Sequence, residues 1–141
     1  MTVSFTQNPP EWTGPLSVDQ LKKPPLNTWF KPLESPKELE GDWRSKDFSA
    51  LRVVLVLGTW CDDSHRYVPE ILHFLEPLPG FAGPEIFAVG RDKTCPFCPE
   101  GIRPERIPLV VVYFKNQELG RMVEQPEVSV KDFFEKILNR L

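Results

Sequence analysis

The sequence predicts an α/β fold, a central mixed β-sheet flanked by helices on both faces and preceded by a proline-rich N-terminal extension. Three observations predict it. Val53-Val54-Leu55-Val56-Leu57 is a short, unbroken, β-branched apolar run, the pattern of a strand buried on both faces. Val68, Ile71, Leu72 and Leu75 then follow at helical spacing, and residues 85–89 supply a second apolar stretch. Two strands joined by a helix of that length run parallel with a right-handed crossover. Finally, 109–114 and 118–123 flank Lys115-Asn116-Gln117 as an antiparallel hairpin, with a capped helix after it.

Residues 1–34 are assigned to the extension and 35–141 to the domain. The extension carries Pro9-Pro10, Pro15, Pro24-Pro25 and Pro32, which forbid long helices and central strands. It also carries Trp12, Leu16, Trp29, Phe30 and Leu33, more apolar and aromatic surface than a disordered arm holds, so it is expected to pack on the domain. Within it, Ser17 caps a short helix over 17–22, and residues 28–31 are the expected edge strand. Ser35-Pro36-Lys37-Glu38 has the form of a capping box with proline at the first helical position, which predicts a helix to about Phe48 with Leu39, Trp43 and Phe48 inward. The next helix is expected over 61–76 with a bend at Pro69. Ser129 caps a last helix with Val130, Phe133, Phe134, Ile137 and Leu138 inward.

Composition narrows the function classes. A chain of 141 residues, 40% hydrophobic, suits one domain with a real core. A net charge of −3 gives no reason to expect nucleic acid or a membrane surface as partner. The first residues lack the basic and apolar regions of a signal peptide, and no apolar run approaches the ~20 residues of a membrane span. Three cysteines are too few for a disulfide scaffold. The expected location is therefore cytoplasmic, with cysteines kept for reactivity or metal, and no cofactor is expected.

The chemistry centres on Gly58-Thr59-Trp60-Cys61-Asp62-Asp63-Ser64-His65-Arg66-Tyr67-Val68-Pro69. Cys61 falls where a buried strand ends and a helix begins, and the unpaired N–H groups of a first helical turn favour thiolate over thiol. Asp62 and Asp63 oppose a second negative charge there, and a His65 cation would offset them in part. Ser64 cannot form a disulfide, although its hydroxyl is spaced to donate to a thiolate at Cys61. Trp60, Tyr67, Ile107 and Phe97 are candidates for an apolar groove around the sulfur, or for plain core and rim residues. Cys95-Pro96-Phe97-Cys98 is a dithiol by its spacing. It either forms its own disulfide, or exchanges with Cys61, or joins Cys61 and His65 in a Cys3His metal site, or is inert.

The Trp-Cys-x-x-Ser motif with Pro69 eight positions after Cys61, together with Ile107-Pro108 opening an apolar strand and Glu118-Leu119-Gly120-Arg121 before a terminal helix, resembles the thioredoxin superfamily. The likeness covers roughly residues 50–141 and is nearest to bacterial thioredoxin-like proteins with a Gly-Thr/Ser-Trp-Cys-x-Asp-Ser motif. It implies a thioredoxin-like fold, a nucleophilic Cys61, a cis Pro108 beside it and a thiol–disulfide oxidoreductase. Protein or small-molecule disulfides and thiols such as glutathione would be the partners. Two positions depart from the family: Ser64 replaces the resolving cysteine, and Leu55 replaces a buried aspartate. Resolution would then fall to Cys95, Cys98 or an external thiol. A redox-inactive binding or adaptor module of the same fold is the alternative.

Overall fold

In the computed structural model, residues 11–28, 37–123 and 128–141 are described. Five strands make one mixed sheet: β1 (Gly14–Leu16), β2 (Leu51–Leu57), β3 (Glu85–Ala88), β4 (Leu109–Phe114) and β5 (Gln117–Val123). Their spatial order is β1-β3-β2-β4-β5. β2 and β3 are parallel, in the register Leu55↔Ile86, while β1 pairs with β3, β4 with β2 and β5 with β4 antiparallel. The helices are α1 (Val18–Leu21), α2 (Asp62–Leu75) and α3 (Val130–Leu138). Among the described residues no helix is long and apolar enough to cross a membrane.

Local chemistry accounts for each boundary. The Ser17 hydroxyl accepts from Gln20 N at 3.1 Å while the Gln20 side chain accepts from Ser17 N at 2.8 Å, a reciprocal cap that starts α1. Ser129 starts α3 in the same manner by accepting from Asp132 N at 3.0 Å. The β4–β5 hairpin turns at Lys115 and Asn116, with φ of 51° and 67°, the paired left-handed residues that match the twist of two strands. Pro69 stands inside α2.

β2 decides how the sheet is covered. Its apolar side chains alternate between two clusters, so both faces must be closed. Leu51, Val53, Leu55 and Leu57 enter the first cluster with Val110 and Val112 of β4. Leu21 of α1, Val68, Ile71, Leu72, Phe74 and Leu75 of α2, and Val130, Phe134, Ile137 and Leu138 of α3 close it. Val54 and Val56 enter the second with Leu109 and Val111. There the cover is Val89, Ile102 and Ile107 with the half-buried Trp60, Cys61, Cys95 and Cys98. Helices on both faces are not shown among the described residues: each helix described adds apolar side chains to the first cluster, and the connection from β3 to β4 covers the other face. That connection carries Pro96, Pro99 and Pro104, which interrupt any helix through it.

The predicted helix up to Phe48 is also corrected. Its capping residues Ser35 and Pro36 lie outside the described residues, and 37–48 hold only a 3-10 turn at Trp43–Ser45. Gly41 is the cause: its φ of +106° reverses the backbone, and a Cβ there would collide with the Asn139 side chain. Leu39, Trp43 and Phe48 are buried all the same, and the Trp43 indole donates to Leu39 O at 2.9 Å. The edge strand expected at 28–31 is formed by 14–16 instead; Thr28 closes a 3-10 turn, and 29–31 lie outside the described residues, as do Leu33 and the boundary at 34/35.

Two predictions test this packing. Phe134, fully buried and 6.5 Å from the Phe74 ring, ties α3 to α2, and Phe134→Ala is expected to lower stability by about 3–5 kcal/mol in urea unfolding. The bidentate hydrogen bond from Arg121 holds Glu118 below its ordinary pKa of 4.5. A depressed carboxylate stabilises above its unfolded pKa and loses that contribution as pH falls through its folded pKa. Because the pair is over a third exposed, Glu118→Gln is expected to remove less than about 1 kcal/mol above pH 5 and progressively less below it, read from unfolding curves at pH 3–7.

Candidate functional site

The site forms where β2 ends. Gly58 N donates to the buried Ser64 hydroxyl at 3.1 Å, which folds the strand end back onto α2. Cys61 N donates to Gly58 O at 3.0 Å, and His65 N donates to Cys61 O at 3.0 Å as the first bond of the helix. Cys61 is thus the N-cap of α2, in extended backbone with φ −95° and ψ 123°, and its side chain makes no capping bond. The half-buried sulfur is left beside the Ile107 carbonyl at 3.9 Å. Ile107-Pro108 is a cis peptide, as the resemblance implied, and the Ile107 carbonyl brings the segment entering β4 against the thiol.

Gly58 makes that approach possible. A Cβ there would lie 2.7 Å from Ile107 Cδ1 and 2.8 Å from Trp60 Cε2, both far inside contact distance. The Trp60 indole donates to Val89 O at 2.8 Å, so its ring is tied to the end of β3. The Arg91 guanidinium lies over that ring, 5.0 Å from its centroid.

The extension reaches the same corner. Trp12 N donates to the hydroxyl of the fully buried Thr59 at 3.1 Å, and the Glu11 carboxylate accepts from Arg91 N at 2.7 Å. A Cβ on Gly90 would lie 2.6 Å from the Glu11 Oε1. Residues 11 and 12 therefore bond to the turns that follow β2 and β3. Sequence reasoning gave Glu11, Gly58, Thr59, Gly90 and Arg91 no role. A glycine directly after a buried apolar run was a usable signal for Gly58; nothing in the sequence linked Glu11 to Arg91.

The other candidates divide between the two faces. Cys95 and Cys98 are joined by a disulfide, Cα–Cα 5.3 Å, inside a turn closed by Cys98 N donating to Cys95 O at 3.2 Å. Both pack against the apolar cluster that Cys61 and Trp60 also touch. Phe97 is 36% exposed, with its ring 6.0 Å from Phe87. Tyr67 packs with the helix-side core instead, under the Arg66 guanidinium, and is not brought to the Cys61 side. The hydrogen bond found at the Ser64 hydroxyl is the one from Gly58, not one to the sulfur. His65 turns its Nε2 to Thr59 O at 2.6 Å, which requires that nitrogen to carry a proton. With Cys95 and Cys98 bonded to each other and His65 on a carbonyl, the Cys3His metal site does not assemble. Among the described residues no group of three or more His, Cys, Asp or Glu is placed to hold an ion.

What this arrangement can do is thiol chemistry: a single free, partly exposed sulfur at a helix start, with a disulfide against the same apolar cluster. Gly58→Ala is expected to push Ile107 or Trp60 off its place, to cost about 1–3 kcal/mol of stability, and to raise the rate at which iodoacetamide reaches Cys61. An unchanged alkylation rate would show that Ile107 does not shield the sulfur. Comparison of the chain with family models, with curated proteins and with solved structures gave no significant match.

Proposed function

We infer that the protein is a thioredoxin-like thiol–disulfide oxidoreductase with Cys61 as its nucleophile. The observation that carries the reading is a free thiol and a Cys-x-x-Cys disulfide packed against one apolar cluster at the carboxyl ends of two parallel strands. Ligand chemistry in open α/β sheets gathers at that edge. The thioredoxin-like fold belongs to this inference. The strand order β1-β3-β2-β4-β5, the parallel β2–β3 pair, the closing hairpin with α3 and the cis Pro108 beside the thiol support it. So does the sequence motif around Trp60-Cys61-Asp62-Asp63-Ser64.

In the forward step the Cys61 thiolate attacks one sulfur of a substrate disulfide. A Cys61–substrate disulfide forms and the second substrate sulfur leaves as a thiolate. Ser64 cannot complete the cycle. A thiolate of reduced Cys95 or Cys98, or an external thiol such as glutathione, attacks the Cys61 sulfur and expels the substrate as a thiolate. When Cys95 and Cys98 are joined, Cys61 has a disulfide of its own chain to attack, which forms Cys61–Cys95 or Cys61–Cys98 and frees the other thiolate. Both steps conserve electrons. Ile107 and Pro108 would form the wall along which a substrate chain approaches, with Trp60 opposite. A reducing, cytoplasmic setting would supply the external thiol.

A second reading has its own observation. The Ser64 hydroxyl is buried as an acceptor for Gly58, a role in shaping the turn that needs no redox step. On that reading the domain binds a partner near Pro108 without turnover.

Dithiol-driven insulin reduction separates the two. The oxidoreductase predicts acceleration by wild type and background rates for Cys61→Ser; equal background rates would favour the binding module. A non-reducing peptide map after mild oxidation is expected to contain Cys61–Cys95 or Cys61–Cys98. A map in which Cys61 carries only external thiols would assign resolution to those thiols instead.

A further inference from the structure

The Cys95–Cys98 disulfide borders a hollow of about 710 Å3, a size within the ~300–1,000 Å3 of small-molecule sites. Among the described residues its lining runs from Asp92 to Glu105 and includes Cys95 but neither Cys98 nor Cys61. Ile102, buried, belongs both to this lining and to the apolar cluster that Cys61 touches. Local bonds hold the walls. Lys93 N donates to Gly90 O at 2.9 Å, with Lys93 in left-handed backbone at φ 59°. Thr94 N and the Thr94 hydroxyl both donate to Asp92 Oδ1 at 3.1 Å. Gly101 O accepts from Arg121 Nη2 at 3.1 Å, which ties the connection to β5. Asp92 is thereby engaged. Lys93, Arg103 and Glu105 are not: among the described residues none of these three side chains forms an ion pair or a hydrogen bond.

A disulfide is opened by thiolate attack on one of its sulfurs, and access decides which one. Two unengaged cations and one unengaged carboxylate around the hollow suit a molecule that carries both a carboxylate and an ammonium group. We propose that the hollow binds a small amino-acid thiol and directs it to Cys95. The incoming thiolate bonds to Cys95 Sγ, the Cys95–Cys98 bond breaks, and Cys98 leaves as a thiolate. A second small thiolate attacks the sulfur of the bound one, releases a small-molecule disulfide and leaves Cys95 as a thiolate. Two small thiols are oxidised as one protein disulfide is reduced. Cys61 takes no part in these steps, so the site goes beyond the thiol–disulfide reading above and does not depend on it.

The test uses oxidised Cys61→Ser, in which only the Cys95–Cys98 pair exchanges. Free cysteine is added with iodoacetamide present to trap the leaving thiolate, and the products are mapped by mass. The cysteine adduct is expected on Cys95 and the alkyl group on Cys98, in about fivefold or greater excess over the reverse arrangement. Equal or reversed products would overturn the assignment of Cys95. Binding is read against 2-mercaptoethanol, which lacks both charges, each opening rate being divided by that for the same protein unfolded in urea. The normalised rate is expected to be about three- to fivefold higher for cysteine, and that ratio to fall towards one in Lys93→Gln/Arg103→Gln. A ratio of one without the double substitution, or a ratio that the double variant leaves intact, would overturn the hollow as a binding site. Wild type with Cys61 already alkylated is expected to give the same map. Neither protein has a Cys61 thiol, so this result and the insulin assay stand or fall separately.

Discussion

From Val53 to Leu57 β2 has no solvent face, and the organisation of the molecule follows from that. A strand with apolar side chains on both sides exposes two surfaces that must be closed. One is closed in the ordinary way, by helices whose apolar stripes meet it, with Phe74 and Phe134 joining α2 to α3. The other is closed by chain without regular structure, and the residues that chain brings include all three cysteines. Cys61, Trp60, Cys95 and Cys98 cover apolar surface on this face while keeping part of themselves in water. The Cys61 sulfur takes part in that cover, so it is neither fully buried nor set apart on a surface loop.

The corner around Cys61 is built by mutual restraint. Ser64 holds Gly58, Gly58 admits Ile107 and Trp60, Val89 holds the Trp60 indole, and Glu11 holds Arg91 beside that ring. Most of these bonds run between backbone and side chain across wide sequence separations, such as Trp12 to Thr59 and Glu11 to Arg91. Buried polar groups need partners, and the partners here come from whichever segment reaches the corner. The N-terminal extension is one of those segments, so it is part of the architecture of the thiol corner as well as of the sheet edge.

Local signals in the sequence were legible and long-range ones were not. The run at 53–57, the helical spacing from Val68 to Leu75, the Lys115-Asn116 turn and the serine caps at 17 and 129 each state their structure within a few residues. The segment 37–48 misled because Leu39, Trp43 and Phe48 keep their burial without a helix, the left-handed turn at Gly41 supplying another route inward. The second face was illegible because its cover has no periodicity, only prolines, a Cys-x-x-Cys and scattered isoleucines. The place of Cys61, between the end of a buried strand and the start of a helix, could be read from the sequence alone. Tyr67 could have been placed by helical arithmetic: it lies four residues before the buried Ile71 and shares that flank of α2. The strand at Gly14–Leu16 was hidden by Pro15, which an edge strand tolerates and a central one does not.

The pairing of β1 with β3 imposes an order on the assembly of the chain. Gly14 lies opposite Ala88, so β1 has no partner until some seventy further residues have been made. At the ~5–20 residues per second of protein synthesis, the extension waits for several seconds as an unpaired edge, carrying Trp12 and Leu16. Its prolines, including the Pro9-Pro10 pair just before the described chain, lack the N–H groups that a neighbouring strand would engage. The same prolines that suit an edge strand in the finished sheet thus offer a wrong partner fewer N–H groups to pair with during that interval.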